Sequence, residues 1–203
     1  MKTSLFIIFL LIPCIAQEWR VPVAVSNRES IEEIRLTAIG AFGVMRKARP
    51  GIPAHHHTGV DIVRPDSSYE NQPIFAAAPG MVISMRDDGP YAQIIVKHPK
   101  DSGFIWTVYE HVSGIDVKPG DSVTTDTRIA RYFNKGELDK YGWQFDHVHF
   151  EVMKSPPMDF QPTAKLPHRH FRTYALACLT KKQLDKNMEH PLEFLKKQFE
   201  SAR

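Results

Sequence analysis

The chain has 203 residues, which suits one globular domain with a sizeable core and short appendages. Its 26 Lys and Arg residues against 23 Asp and Glu residues give a net charge of +3 without a basic stripe, so the composition does not favour nucleic-acid binding. The only cysteines are Cys14 and Cys178, which excludes a disulfide-rich scaffold and a zinc site built on cysteine ligands.

The N-terminus has the pattern of a signal peptide. Lys2 precedes the apolar run 5–12, and the small residues Cys14 and Ala16 follow, so we expect cleavage after Ala16. The run is short for a transmembrane helix, although an uncleaved membrane anchor is an alternative. A lipoprotein signal ending at Cys14 is a weaker alternative, because Pro13 stands where a small residue is expected. Cleavage would leave 25 Lys and Arg against 23 Asp and Glu, a charge of +2.

Residues 17–35 are polar and are interpreted as an N-terminal wrap without chemistry of its own. The pair Ser30 and Glu33 matches a capping box, which predicts a short helix. Residues 36–47 read as a strand that enters a basic loop, and the loop 50–54 then leads to three consecutive histidines.

The spacing of acidic residues distinguishes these histidines. His57 lies four residues before Asp61, and Gly59 between them permits a close backbone approach. His55 and His56 lack such a partner, and we expect them to be exposed loop residues at the rim of a site. A His-x-x-x-Asp pattern on its own is a weak signal for a metal site.

From residue 74 to residue 153 the chain alternates short β-rich runs with Gly, Pro and Asp turns. Such short, evenly spaced runs favour an antiparallel or mixed sheet over βαβ units. Strands are predicted at 81–85, 91–98, 104–109, 121–131 and 144–153.

The last of these strands carries a second pair of candidate groups. His147 and His149 are two residues apart, so on a strand their side chains lie on the same face. Together His57, Asp61 and one of these histidines would give three N and O ligands and leave a fourth zinc position open, as in catalytic zinc sites. His111 ends another predicted strand. Glu151 shares the face of His149, where it would either orient a histidine or face solvent.

The motifs His-x-Gly-Val-Asp-Ile, Pro-Ile-x-Ala-Ala-x-Pro-Gly-x-Val, Val-Tyr-x-His-Val, Val-x-x-Gly-Asp-x-Val and His-x-His-Phe-Glu occur in this order within residues 40–153. In this the chain resembles the lysostaphin-type zinc endopeptidases. The resemblance implies a mostly β fold of the duplicated hybrid motif type, an antiparallel or mixed β-sheet sandwich with short N-terminal and C-terminal helices. It also implies an exported enzyme that cleaves peptide bonds in peptidoglycan.

Carried over to this sequence, the resemblance implies Zn²⁺ ligands at His57, Asp61 and His149, and non-ligand active-site histidines at His111 and His147. Bound zinc would lower the pKa of a water molecule and polarise the scissile carbonyl. No His-Glu-x-x-His motif supplies a glutamate base, so we assign the proton transfers to His111 and His147 jointly.

Two features depart from the family pattern. The segment 132–145 is longer, more charged and more aromatic than the Gly, Ser and Thr-rich loop of many members. The resemblance therefore does not identify the preferred substrate peptide. No tyrosine precedes Tyr69, although relatives have one shortly before the first ligand, and oxyanion stabilisation would then depend on zinc and the histidines. Some relatives are kept inactive by an asparagine that binds the zinc ion, and in this chain that residue would have to be Asn27.

The segment 154–203 begins with a proline-rich connection, and its His168-x-His170 pattern is expected to lie at the surface. A helix is predicted from Thr180, and Pro191 should separate it from a second helix that covers the β core. The predicted divisions are a signal peptide at 1–16, a wrap at 17–35, a catalytic domain at 36–155, and the connection with C-terminal helices at 156–203.

The expected function is therefore a zinc endopeptidase, periplasmic or associated with the cell wall, acting as a monomer on peptidoglycan peptides. We expect no nucleic-acid partner and no stable membrane insertion after cleavage. Two alternatives are a non-catalytic regulator of another wall hydrolase and a zinc peptidase acting on a different exported peptide.

Overall fold

The computed structural model describes residues 18–202, so the predicted signal peptide lies outside the described residues. The strands are β1 Met45–Arg46, β2 His55–His56, β3 Val60–Val63, β4 Pro73–Phe75, β5 Gly80–Arg86, β6 Gln93–Lys100, β7 Gly103–Glu110, β8 Ser122–Val123, β9 Arg128–Arg131, β10 His147–Met153, β11 Met158–Asp159, β12 Phe171–Arg172 and β13 Met188–Glu189. The helices are α1 Lys135–Tyr141, α2 Lys181–Asn187 and α3 Pro191–Ser201, and 3-10 turns lie at Gly89–Tyr91 and Trp143–Phe145.

One seven-stranded sheet organises the described chain. Its order is β13-β10-β7-β6-β5-β8, with β3 also paired to β10, and its strands are all antiparallel to their neighbours. The long strands β6, β7 and β10 are rich in β-branched and aromatic residues, which pack well on a pleated surface. The prediction of a mostly β, antiparallel fold with short helices is confirmed.

The central strand β10 is buried along its whole length. His149 in this strand lies directly opposite Asp61 of β3 on one side and Glu110 of β7 on the other. Side chains of directly opposite residues share a face of the sheet. The pairing therefore brings two segments that are about ninety residues apart in sequence into one row.

Both ends of the described chain cover this sheet. Near the N-terminus, Trp19 and Val23 are buried in the main hydrophobic cluster, and the Trp19 ring packs edge-on against Phe194 of α3 at 4.7 Å between centroids. Leu195 of α3 is fully buried in the same cluster. The apolar face of the last helix thus packs against the β core, as its pattern predicted.

The short helix predicted at Ser30 does not form, and this prediction is wrong. The Glu33 carboxylate accepts hydrogen bonds from Ser26 and Asn27 instead of returning to the backbone of Ser30. The Ser30 hydroxyl accepts only from Glu32 N, at 3.2 Å. Residues 26–33 therefore close a turn that competes with the first turn of a helix.

Three predicted strands are shorter than the sequence pattern indicated. Only Met45–Arg46 of the segment 36–47 joins a strand. The run 121–131 divides into β8 and β9 at a turn that Thr127 closes, since its hydroxyl accepts from Thr124 N at 2.9 Å. β10 begins at His147 because a 3-10 turn precedes it.

The helices near the C-terminus begin where the sequence placed them. Thr180 and Gln183 form a reciprocal capping box on α2, and Pro191 is the first residue of α3. Within residues 18–202 none of the helices has the length and apolar character needed to cross a membrane.

Candidate metal centre

The three predicted metal ligands come together from two distant parts of the chain. His57 Nε2 lies 2.9 Å from His149 Nδ1 and 3.0 Å from Asp61 Oδ1, and the last two atoms are 2.9 Å apart. Tetrahedral zinc with bonds of about 2.0–2.1 Å separates its ligand atoms by about 3.3 Å, so this triangle has to widen by only about 0.3–0.4 Å. All three side chains are buried, and among residues 18–202 they form the one group of His, Cys, Asp and Glu that could hold a metal ion.

Two glycines permit this close packing. A Cβ atom on Gly59 would lie 2.9 Å from His149 Cε1 and would clash with the carbonyl oxygen of Phe150. A Cβ atom on Gly40 would lie 2.8 Å from the Cβ of Asp61. A larger residue at either position would push a candidate ligand out of place.

Hydrogen bonds on the outer side of both imidazoles fix their tautomers. His57 Nδ1 donates to the carbonyl oxygen of Ala41 at 2.9 Å, and His149 Nε2 donates to Glu151 Oε1 at 3.0 Å. The Thr58 hydroxyl donates to the same carboxylate oxygen at 2.5 Å. His57 Nε2 and His149 Nδ1 are thereby left as the nitrogens that face Asp61. Such outer-shell bonds are typical of metal-binding histidines, and the donor set of two nitrogens and one carboxylate oxygen fits zinc.

The electrostatics of the ligand cluster favour a cation. Burial opposes ionisation of Asp61, but its close contacts with His149 and His57 outweigh burial and hold the pKa of Asp61 well below its usual range. Burial likewise opposes protonation of His149, yet hydrogen bonds to Asp61 and Glu151 raise its pKa to about 10. Burial lowers the pKa of His57. Without a metal ion, a proton on His149 supplies one positive charge between the Asp61 and Glu151 carboxylates.

His111 and His147 lie beside this cluster. Their ring centroids are 4.9 Å apart, and His147 Nε2 is 3.5 Å from Asp61 Oδ1. His111 follows β7 with a φ of 63°, an uncommon backbone conformation for a residue other than glycine. Its Nδ1 donates to the carbonyl oxygen of Pro90 at 2.5 Å. Burial lowers the pKa of both histidines, that of His147 to about 3, so both rings are neutral at pH 7.

The unusual segment 132–145 brings one aromatic ring, that of Phe145, next to His111. It folds into α1 and a 3-10 turn, which places the Phe145 ring 4.9 Å from the His111 ring. Tyr91 packs 5.6 Å from Phe145 and is 45% exposed, and Trp143 is 47% exposed. The segment thus places Phe145 beside His111, whereas Trp143 packs against Tyr69 with 5.7 Å between ring centroids.

The expectation that His55 is an exposed loop residue is wrong. His55 lies in β2, paired with β1, and only 7% of its surface is exposed. His57, the first residue after β2, is likewise buried, at 6% exposed. His56 is half-buried, and its Nδ1 donates to the carbonyl oxygen of Gly43 at 2.9 Å.

Other histidines and the proposed latency residue lie apart from the cluster. His168 and His170 are exposed, in agreement with the sequence pattern. Asn27 is exposed, and its side-chain oxygen accepts from Glu29 N at 2.9 Å, so this amide is engaged in its own turn.

One contact of the ligand cluster was not predicted, and a second was one of two alternatives. Arg46 donates to Asp61 Oδ2 at 2.8 Å, and no sequence pattern indicated this contact beyond the basic residues that precede the histidines. Glu151 is 1% exposed and holds His149, which is the first of the two roles left open for it.

The family model described as Peptidase family M23 matches residues 55–161, slightly more than half of the chain. No curated protein matches the sequence. Among solved structures, the chain is similar to a solution structure of lysostaphin, with 19% identity over 90% of this chain and 56% of that chain and a TM-score of 0.52. It is also similar to lysostaphin from Staphylococcus simulans, with 17% identity over 88% of this chain and 55% of that chain and a TM-score of 0.50. At these identities the likeness concerns the fold, and the chain spans about half the length of both lysostaphin chains.

Proposed function

Because this chain belongs to peptidase family M23, we propose that it is an exported zinc endopeptidase that hydrolyses peptide bonds in the stem peptides or cross-bridges of peptidoglycan. The observation that carries the proposal is the buried triangle of His57, Asp61 and His149, whose three facing atoms lie 2.9–3.0 Å apart. Similarity to lysostaphin, an antimicrobial peptidase, supports the same class of enzyme.

His57, Asp61 and His149 would hold the zinc ion. When bound, zinc supplies Lewis acidity that activates a water molecule and polarises the scissile carbonyl. Glu151 and the carbonyl oxygen of Ala41 keep the two imidazoles in the tautomers that expose an unprotonated nitrogen to the ion.

We assign His111 as the proton acceptor for the attacking water. Since its Nδ1 donates to Pro90, its Nε2 carries the free lone pair. Burial lowers the pKa of His111, so the ring is neutral and able to accept a proton at pH 7. The Glu110 carboxylate lies 3.9 Å from Nε2 and would stabilise the imidazolium that forms.

We assign His147 to the substrate oxygen, and we assign the proton that His111 accepts from water to the leaving amine. Among residues 18–202 no group forms a hydrogen bond with its ring, although Asp61 Oδ1 lies at 3.5 Å. A neutral imidazole can donate a hydrogen bond to the scissile carbonyl as charge develops there. This role compensates for the tyrosine that the chain lacks ahead of its first ligand.

The test is a digest of isolated cell walls by the purified, zinc-loaded chain, followed by mass spectrometry of the released fragments. We expect fragments with new peptide termini, and we expect none with His149→Ala. His168→Ala is the control, because this histidine is exposed and lies outside the ligand cluster. Absence of new termini with the zinc-loaded protein, or equal release by His149→Ala, would contradict the proposal.

Export is the second part of the proposal. Burial raises the pKa of the Cys178 thiol to about 11, so this group stays protonated and unreactive, which is compatible with an oxidising compartment. N-terminal sequencing of protein recovered from the periplasm or the medium should begin at Gln17. Recovery only in the cytoplasm, with Met1 retained, would contradict export.

A further inference from the structure

The Arg46 side chain is partly buried and positively charged, and it has no part in the catalytic roles assigned above. Its guanidinium donates to Asp61 Oδ2 at 2.8 Å, while Asp61 Oδ1 faces His57 and His149. The two oxygens of one carboxylate are therefore divided between the arginine and the ligand triangle. This contact places Arg46 directly beside the proposed metal ion.

Most of the hydrogen-bonding capacity of Arg46 is available to a ligand. A guanidinium has five N–H donors, and among residues 18–202 the bond to Asp61 is the one its side chain makes. The side chain is 18% exposed, so substrate can reach it. The bond to Asp61 also holds the guanidinium in place, which reduces the entropy lost when a ligand binds.

The charge around Arg46 is positive. The stretch 43–58 contains Arg46, Lys47 and Arg49 and no acidic residue, and Lys47 and Arg49 are exposed. With a divalent ion bound, the charges on the ion, Arg46 and Asp61 sum to +2, and Glu151 reduces the sum to +1. An excess positive charge at a partly buried site favours an anionic ligand.

The acidic side of the site lies across the sheet. Glu110 occupies the same row as Asp61, on the opposite side of β10, about 10 Å away at the usual strand spacing. The Glu110 carboxylate is 18% exposed. A substrate carboxylate would therefore be repelled at the Glu110 end and attracted at the Arg46 end.

We propose that Arg46 binds a carboxylate of the substrate peptide next to the scissile bond, so that the enzyme selects acidic peptides over neutral ones. The planar guanidinium matches a carboxylate in a bidentate arrangement, which lysine cannot reproduce. This inference rests on the proposed function, because it assigns substrate selection to the same site. The alternative is that Arg46 acts only on Asp61 as a positioning residue.

The experiment compares two synthetic stem peptides that differ only in one group beside the scissile bond, a carboxylate in one and a carboxamide in the other. The readout is the ratio of the two kcat/KM values, so a general loss of activity cancels. For the wild-type chain we expect the carboxylate peptide to be favoured by about 10–100-fold, the range of a hydrogen bond to a charged group. In Arg46→Gln the ratio should fall below about threefold, and Arg46→Lys should lie between.

Lys47→Gln is the matched control, because it removes the same charge from the adjacent exposed residue. Its ratio should stay within about twofold of wild type, since exposed charges are strongly screened. A ratio that survives in Arg46→Gln overturns the inference. So does an equal loss on both peptides together with weaker zinc binding, which assigns Arg46 to positioning Asp61 alone.

A binding measurement separates this inference from the proposed function. Fluorescence polarisation of the same two peptides, labelled, is recorded with zinc-loaded wild type and Arg46→Gln. If neither peptide is hydrolysed, the proposed peptidase function fails. An Arg46-dependent binding preference for the carboxylate peptide still supports the inference in that case, and equal binding of both peptides overturns it.

Discussion

Replacement of Glu151 tests whether the outer hydrogen bonds hold the candidate ligands. Glu151 Oε1 accepts from His149 Nε2 at 3.0 Å and from Thr58 Oγ1 at 2.5 Å, and the residue is 1% exposed. Glu151→Gln keeps the shape and one acceptor oxygen but removes the charge, and charge-assisted hydrogen bonds are about twice as strong as neutral ones. Loss of such a partner typically weakens metal binding 10–100-fold, or about 1.4–2.7 kcal/mol. We expect about tenfold weaker zinc binding for Glu151→Gln and about a hundredfold for Glu151→Ala.

The assay is competition with a chromophoric zinc chelator at pH 7, with circular dichroism to verify the fold. Glu189→Gln is the control, because it makes the same chemical change on β13, where Glu189 forms a partly exposed ion pair with Lys154 at 3.5 Å. Its zinc affinity should equal that of wild type within about twofold. Folded Glu151→Ala with wild-type zinc affinity would refute the reasoning that this carboxylate holds His149 for the metal.

Three further predictions concern the same cluster. His147→Ala should lower kcat on wall peptides by about 10²–10⁴-fold while zinc content measured by atomic absorption stays at the wild-type level; loss of zinc instead would make this residue a ligand. Gly59→Ala should abolish tight zinc binding in the chelator assay, because the added Cβ would meet His149 and the Phe150 carbonyl, and unchanged binding would contradict the close packing. Because the pKa of His149 is about 10 without metal, zinc binding at pH 7 should release about one proton per ion, measured by calorimetry in buffers of different ionisation enthalpy. Proton release should vanish above about pH 11, where the neutral form of His149 already prevails. If zinc binding at pH 7 released no proton, His149 would not be protonated in the metal-free site.

The candidate ligands could be predicted partly from local spacing and partly from the family resemblance, which selected His149 over His147. His57 and Asp61 are four residues apart, and the alternation of a strand puts His147 and His149 on one face. The order of the motifs then indicated the family and the mostly β fold, which the structure and the family match confirm. The roles of the individual residues stay predictions.

The contacts that sequence reasoning missed depend on pairing between segments. His55 is buried because β1 pairs with β2, and nothing in the sequence specifies the register that places Arg46 opposite His55. The failed helix at Ser30 has a similar cause, since Glu33 forms its hydrogen bonds with residues before the capping box. Local sequence patterns do not predict such features well, because hydrogen bonds to residues outside the pattern determine which structure forms.

Zinc X-ray absorption spectroscopy on the stoichiometrically loaded chain and on His149→Ala tests whether His57, Asp61 and His149 hold the metal ion. We expect one zinc ion per wild-type chain with only N and O neighbours at about 2.0–2.1 Å, two of them imidazoles, and loss of this site in the variant. A sulfur neighbour in the wild-type spectrum, or an identical tightly bound zinc in His149→Ala, would contradict this expectation.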